Sequence, residues 1–555
     1  MTPIRLRILS VSAVLAAAIL APSAVSQADA PMPNPPEFPD ENPLLPDQDI
    51  LGKFLFWEEQ MSHDNSVACG TCHIHEAGGS DPRAPLTINP GPDGMFGTDD
   101  DIRGSQGVHR IDHLTNDLVN DATFGTNRQV TGRKTPSSVN SAYFIDLFWD
   151  GRATQAYTDP QTGLVEIAYL GALESQAAGP PVSDVEMGSV GRSWNDITAK
   201  LATVTPMAVA SNVPVEMADF LSSNPTYPDM FAAVYGDPAI TSKRVNFAIA
   251  NYERTLIADE TVLDDFLKGN TPDLGPFQNG FDLFQGSANC AACHTMPFTM
   301  DNTFHNIGVR PDADDAGRMD FTGDPADMAK FKTPMVRNAA LRVPLFHNGS
   351  AATITEVIDF YDAGGDFPGP NIDVDIVPLN LAAQDRLDLI DFVENGMTDS
   401  RLTNNVFPFT RPTLGSELPS LNINYGVASP DSIGGFAQIY ANGPANRGNA
   451  NFVVGLTGAA PSMPAQLVMS FVQDPLGTPY PDPRFPVPVN LGIGSIFLKA
   501  PKTTSADGVS SFNMPIPPDA ILAGFKFYAQ WFIADPGPGV PGGIYGTDGL
   551  EIEIL

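Results

Sequence analysis

The sequence predicts a multi-domain chain: two mainly α-helical domains followed by an all-β, sandwich-like C-terminal domain. Three observations carry this. The four cysteines are all spent in two matching patterns, Cys69-Gly-Thr-Cys72-His73 and Cys290-Ala-Ala-Cys293-His294. From about Thr413 to Leu555 the chain holds no His and no Cys. In that same stretch short alternating or apolar runs recur between Pro- and Gly-rich turns, the pattern of a strand-built sandwich.

The cysteine motifs come first because they decide what the helical domains are for. Cys-x-x-Cys-His is the attachment pattern of c-type haem: two thioethers hold the macrocycle and the histidine ligates the iron. A zinc site and a thioredoxin-like redox pair are the rivals. A zinc ion joining the two pairs would not need the trailing His twice. The cofactor reading is therefore two covalent haem c groups on Cys69, Cys72, His73, Cys290, Cys293 and His294. Short helices around covalent haems make the two helical domains cytochrome c-type haem domains.

The remaining elements follow in chain order. Residues 1–26 read as a signal peptide: Arg5 and Arg7, an apolar run from Ile8 to about Leu20, then small residues up to Ser26. That run is too short to span a bilayer comfortably, so the expected location is periplasmic or otherwise exported, with no stable membrane insertion. Residues 27–46 are Pro-rich and predict an extended, poorly ordered tether. The first haem domain is 47–267. Its acidic, Gly-rich stretch from Gly91 to Gly107 offers hard oxygens to Ca²⁺ but misses the EF-hand spacing, so a plain surface loop competes. Apolar periodicity from Val245 to Leu267 predicts one helix, ended by Gly269-Asn-Thr-Pro272. The second haem domain is 268–412, closing on a helical pattern from Leu387 to Val393 that stops near Gly396. Residues 413–555 form the β-rich accessory domain. No internal repeat stands out beyond the two haem motifs. With 30 Lys+Arg against 65 Asp+Glu, the net charge of −35 disfavours nucleic acid and anionic membranes. The same field suits either a basic electron-donor protein or plain solubility.

The order of several further motifs resembles the bacterial di-haem cytochrome c peroxidase family, including its MauG-type members, from about Leu51 to Leu402. The matching blocks are Leu51-Gly-Lys-Phe-Leu-Phe, Arg133-Lys-Thr-Pro-Ser-Ser-Val-Asn140 and Phe148-Trp-Asp-Gly-Arg-Ala153. Gln176 and Val185-Glu186-Met187 follow, then Phe331-Lys-Thr-Pro-Met-Val-Arg-Asn338, Pro344-Leu-Phe-His-Asn-Gly-Ser350 and Glu356-Val-Ile-Asp-Phe-Tyr361. The resemblance implies that the first haem is the peroxide site, with Glu186 as acid–base catalyst and Gln176 as its amide partner. An insertion around Thr158–Tyr169 lies just before both. Trp149 matches the tryptophan between the haems. Tyr361 stands where peroxidases fed by a small cytochrome carry methionine, and where MauG-type enzymes carry tyrosine. His73 is then the iron ligand of haem 1, and His294 with Tyr361 those of haem 2. His305 and His347 are expected to be second-sphere or core residues. The resemblance also implies an inter-haem calcium ion, with backbone carbonyls of Arg342 and Pro344 as ligands. Its usual asparagine is Lys134 here, which cannot ligate Ca²⁺. A distal histidine is replaced by Asn89. His75 is too close in sequence to reach the open face, His109 and His113 are candidates, and an open pocket is the preferred reading.

The function expected is a periplasmic di-haem oxidoreductase that reacts with hydrogen peroxide, MauG-like in its second haem. Its redox partner would be a small cytochrome, a cupredoxin or a protein substrate. The alternatives are an ordinary cytochrome c peroxidase and a non-catalytic di-haem electron-transfer protein.

Overall fold

The computed structural model describes residues 31–418, 422–479 and 487–555. The predicted signal peptide lies outside the described residues. No described helix is long and apolar enough to cross a membrane.

The chain before residue 413 is built of short helices and loops, and the chain after it is β-rich. Helix Gln48–Trp57 buries almost every side chain and packs along helix Ser242–Glu253. The two approach so closely that a Cβ on Gly52 would lie 1.9 Å from the Ala248 carbonyl oxygen. Trp57, Phe56, Tyr252 and Phe231 anchor the core around this pair. The single helix expected over 245–267 is in fact two, Ser242–Glu253 and Val262–Leu267. The second restarts at a capping box in which Thr261 and Asp264 satisfy each other's backbone amides. Apolar periodicity continues through this break, so periodicity alone misses it. The Pro-rich stretch does not stand free either. Asn42 is buried and donates to Glu174 Oε1 at 2.7 Å and to the Phe247 carbonyl at 3.1 Å.

An internal repeat, absent from the sequence expectation, organises this region. Lys134-Thr-Pro…Asn140…Leu147-Phe148-Trp-Asp-Gly151 recurs at one constant offset as Lys332-Thr-Pro…Asn338…Leu345-Phe346-His-Asn-Gly349. The backbones match as well. Asn140 and Asn338 both have φ 60°, Phe148 and Phe346 have 65° and 67°, and Gly151 and Gly349 have 73° and 71°. A bulky residue rarely adopts positive φ, and two doing so in register mark one turn used twice. The copies clasp reciprocally: Lys134 N–H donates to the His347 carbonyl, and Lys332 N–H to the Trp149 carbonyl, each at 2.7 Å. This is the i-to-j, j-to-i logic of a two-fold interface, here within one chain.

The β-rich region holds an antiparallel sheet whose central strands are Pro464–Ser470, Lys526–Ala534 and Gly549–Glu553. A three-stranded sheet, Gln438–Ala441, Val453–Thr457 and Ser510–Asn513, covers it. Trp531, Leu467 and Ile552 of the first share one core with Ile439, Val454 and Leu456 of the second. That core has no member in common with the one around Trp57. What joins the two regions is mostly polar. Asn65 donates to Asn446 Oδ1 at 2.9 Å, Asn451 to the His63 carbonyl at 3.0 Å, and Arg128 to the Asn442 carbonyl at 3.1 Å. The His109 ring stacks on Tyr440 with centroids 5.2 Å apart.

Because the cores are separate and the joint is polar, a chain ending at Leu418 should fold by itself. Circular dichroism and thermal melting should show a cooperative but less stable helical region. An unfolded or insoluble product would show that the β-rich region completes the first core.

Candidate active site

Between the two repeat copies lies a cavity of about 910 Å³, and Cys69, Cys72, His73, Cys290, His294 and Tyr361 all line it. So do Glu186, Gln176 and Trp149. Of the eight histidines in the chain, only His73 and His294 line this cavity. The two are held alike. His73 Nδ1 meets the Gly79 carbonyl at 3.0 Å, and His294 Nδ1 meets the Thr299 carbonyl at 3.0 Å. Such a bond fixes the tautomer with the proton on Nδ1 and leaves Nε2 as a free donor atom for a metal. An aromatic ring is tilted against each, Phe56 at 6.3 Å and Phe284 at 6.4 Å. The first motif is seated by Gly70, where a Cβ would lie 2.2 Å from the Trp57 ring. None of the four cysteines is paired in a disulfide, and burial pushes the Cys72 and Cys290 thiols up to about 12. Cys293 stands beside Asp301 and His305, with donor atoms within 4.8 Å of one another.

The acid–base pair comes from two short elements. Gln176 is on helix Ala172–Ala177, and Glu186 follows in a turn where its N–H bonds the Ser183 carbonyl. The insertion before them folds away as a hairpin, Tyr157–Thr158 against Val165–Ile167, whose Tyr157 and Ile167 pack on Phe247. Burial raises the Glu186 carboxyl above its ordinary range, against a smaller lowering by Ser183 and Arg152. Gly107 lies directly beneath this turn: a Cβ there would be 1.9 Å from the Val185 carbonyl oxygen. The helix carrying Gln176 is pinned by a buried ion pair, Arg254 to Glu174 at 2.7 and 3.0 Å.

Trp149 donates its indole N–H to the Lys134 carbonyl at 2.7 Å and lies edge-on to His347, centroids 6.3 Å apart. Tyr361 is on helix Ile354–Ala363. Burial raises its phenol well above the ordinary range, and the nearby Cys290 and Cys293 push the same way. The remaining histidines are occupied outside the cavity. His63 contacts Asn116 and Ser189, His75 the Phe409 carbonyl, His109 the Thr126 carbonyl and His113 Asp196. His305 sits between Asp301 and Asp373, and His347 stacks on Phe331 at 3.7 Å. In the 91–107 loop, Asp100 and Asp101 accept backbone amides of Asp93 and Gly97, as in a self-bonded surface loop.

The chain is similar to several known proteins. Residues 46–272 match the family described as di-haem cytochrome c peroxidase. The methylamine utilization protein MauG of Methylorubrum extorquens is 27% identical over 64% of this chain and 80% of its own length. The cytochrome-c peroxidase IdrP1 of Denitromonas iodatirespirans is 29% identical over 66% of this chain and 85% of its own. Among solved structures, a MauG-like protein associated with microbial copper homeostasis is 25% identical, covers 68% of this chain and 96% of its own, and has a TM-score of 0.48. Over residues 46–272 the chain carries the domain of the di-haem cytochrome c peroxidase family, and it is similar to both peroxidases and MauG proteins. It is a peroxidase-like oxidoreductase.

The residues fit the family's haem cofactor. Thiols and imidazoles are present in matched sets, and the cavity wall carries positive charge that the protein leaves unneutralised. Lys134 and Lys332 are buried, Arg342 is half-buried, and none of the three has a carboxylate partner within ion-pair distance among the described residues. Burial lowers each lysine to about 7 and Arg342 to about 10. A haem carries carboxylates, and an anionic partner would restore these charges. Sequence reasoning attached no role to Lys332 or to the Arg342 side chain. The repeated Lys-Thr-Pro was the signal available.

Arg254→Met should leave Glu174 buried without its ion-pair partner, Asn42 remaining as a neutral hydrogen-bond donor, costing about 3–5 kcal/mol. Thermal melting reads this. Because the pair sits behind Gln176, an unchanged melting temperature would mean that the helix is held by packing alone.

Proposed function

We propose that the protein is an exported di-haem c-type oxidoreductase acting on hydrogen peroxide, in which haem domains 47–267 and 268–412 share one cavity. We further propose MauG-like ligation by His294 and Tyr361 at the second haem. The observation that carries this reading is that one cavity is lined by Cys69, Cys72 and His73 of the first motif, Cys290 and His294 of the second, Glu186 with Gln176, and Tyr361. Cys69 and Cys72, and Cys290 and Cys293, would hold the macrocycles by thioethers. When bound, haem supplies the one-electron and O–O bond chemistry that no side chain here possesses.

The chain's own residues do the rest. Glu186 takes a proton from one peroxide oxygen and delivers it to the departing one. Burial raises its pKa above the ordinary glutamate range, which favours the protonated form that it needs to deliver a proton. Gln176 offers an amide to orient the same substrate. Trp149, fixed by its bond to Lys134 at the joint of the two copies, is placed to relay oxidising equivalents. Tyr361 in its buried site would ionise only against a strong positive charge, such as the haem iron would supply. An anionic oxygen ligand favours the more positive iron, so both haems would share the oxidation. A small cytochrome, a cupredoxin or a protein substrate would be the partner.

Glu186→Gln should leave haem content unchanged and slow reaction with peroxide at least about 10²-fold. The wild-type rate should rise with pH as the raised Glu186 carboxyl ionises, inflecting above the ordinary glutamate range, and the variant should lose that inflection. An unchanged rate would make Glu186 a bystander.

Tyr361→Met should raise the second haem's potential and make peroxide turnover depend on prior reduction. Tyr361→Phe should alter the second haem's absorption and EPR spectra. If those spectra were unchanged, Tyr361 would not be a ligand, and the ordinary cytochrome c peroxidase reading would take its place.

A further inference from the structure

The resemblance to di-haem peroxidases implies a calcium ion between the haems, and the residues at that place do not fit one. Calcium needs six to eight oxygen ligands, several of them anionic. The position that should offer an asparagine oxygen offers the Lys134 ammonium. Its Nζ donates to Ser80 Oγ at 2.6 Å and points toward the Thr135 carbonyl at 3.5 Å. The position that should contribute a carbonyl carries a second cation. Arg342 reaches from its own copy of the repeat across to the loop after the first haem motif, where a Cβ on Gly78 would lie 2.6 Å from Arg342 Cγ. Its Nη2 donates to the Met335 carbonyl at 2.5 Å. Arg342 is the foremost charged influence lowering Lys134. The carboxylate that opposes this influence, Asp81, is committed to Arg83 at 2.8 and 2.9 Å.

We propose that the Lys134 ammonium and the Arg342 guanidinium form a covalently built-in dication that takes the place of the inter-haem calcium ion. This rests on the di-haem reading above and deepens it. Two side-chain charges, one from each copy of the repeat, supply the charge of one Ca²⁺, and they would repel a divalent ion from the same space. Unlike an ion, the side chains cannot leave the protein, and the haem carboxylates that restore the Lys134 proton would hold its charge in place. The electrostatic link between the haems would then be insensitive to chelators and to free calcium.

The test uses the full-length haem-loaded protein. Elemental analysis after dialysis against calcium should find no stoichiometric calcium. EDTA should change neither the haem spectra nor the two reduction potentials. In the double variant Lys134→Asn with Arg342→Thr, which restores an oxygen ligand and removes both charges, one Ca²⁺ per chain should bind. EDTA should then shift its spectra and potentials. One tightly held calcium in the wild type, with EDTA-sensitive spectra, would overturn the proposal. So would a folded double variant that takes up no calcium. Haem content, read separately from the pyridine haemochrome, distinguishes these outcomes from failure of the di-haem reading itself.

Discussion

The reciprocal pair of backbone hydrogen bonds, Lys134 to His347 and Lys332 to Trp149, is the constraint on which the rest of this structure depends. Each bond ties the first residue of a Lys-Thr-Pro strand in one copy to the turn of the other. The turns are stiff: Phe148 and Phe346 hold positive φ, and the glycine three residues on holds it again. Two stiff turns locked to each other fix the separation of the histidine motifs. They also place Trp149 at the joint, since its own carbonyl takes part in the clasp.

The same joint explains where the charge lies. The chain as a whole is strongly acidic. At the joint Lys134, Lys332 and Arg342 line the cavity with no carboxylate in ion-pair contact among the described residues, although acidic residues such as Asp315 line it too. Burying unpaired cations costs free energy, so this arrangement is understandable only if anionic groups enter with the cofactor. Arg133 shows the contrast: it also lines the cavity, yet it is neutralised by Asp150 and Asp315 at 2.6 to 2.7 Å.

Much of this was legible in the sequence because cofactor attachment is written in fixed spacings. The two cysteine motifs pointed to haem, the cofactor that the matching family implies, and the composition break near Thr413 marked the β-rich region. Glu186 and Gln176 were readable only through the order of motifs, since a lone carboxylate in a turn looks like surface. Other features depend on contacts that no local window contains. The loss of helix at Arg254–Thr261 is a capping event hidden under continuous apolar periodicity. Asn42 becomes buried only because Glu174 and Phe247 are waiting for it. The repeat was present in the letters but is sparse, its kept residues being those that build the turn and the clasp.

The repeat also shows how one scaffold can carry two different tasks. At equivalent positions the first copy has Arg133, Trp149, Asp150 and Arg152, and the second has Phe331, His347, Asn348 and Ser350. The first set is charged and carries an oxidisable indole that faces the cavity. The second is neutral, and its His347 is withdrawn from the cavity to stack on Phe331. Glu186 belongs to an element with no counterpart in the second copy, as Tyr361 belongs to one with no counterpart in the first. Backbone geometry is therefore duplicated where the two histidines are held alike, and side chains diverge elsewhere. On the proposed reading, that divergence would put proton handling on one side and charge storage on the other. A symmetric pair of sites would share oxidising equivalents without direction, and the difference in ligand and proton chemistry would give the pair its direction.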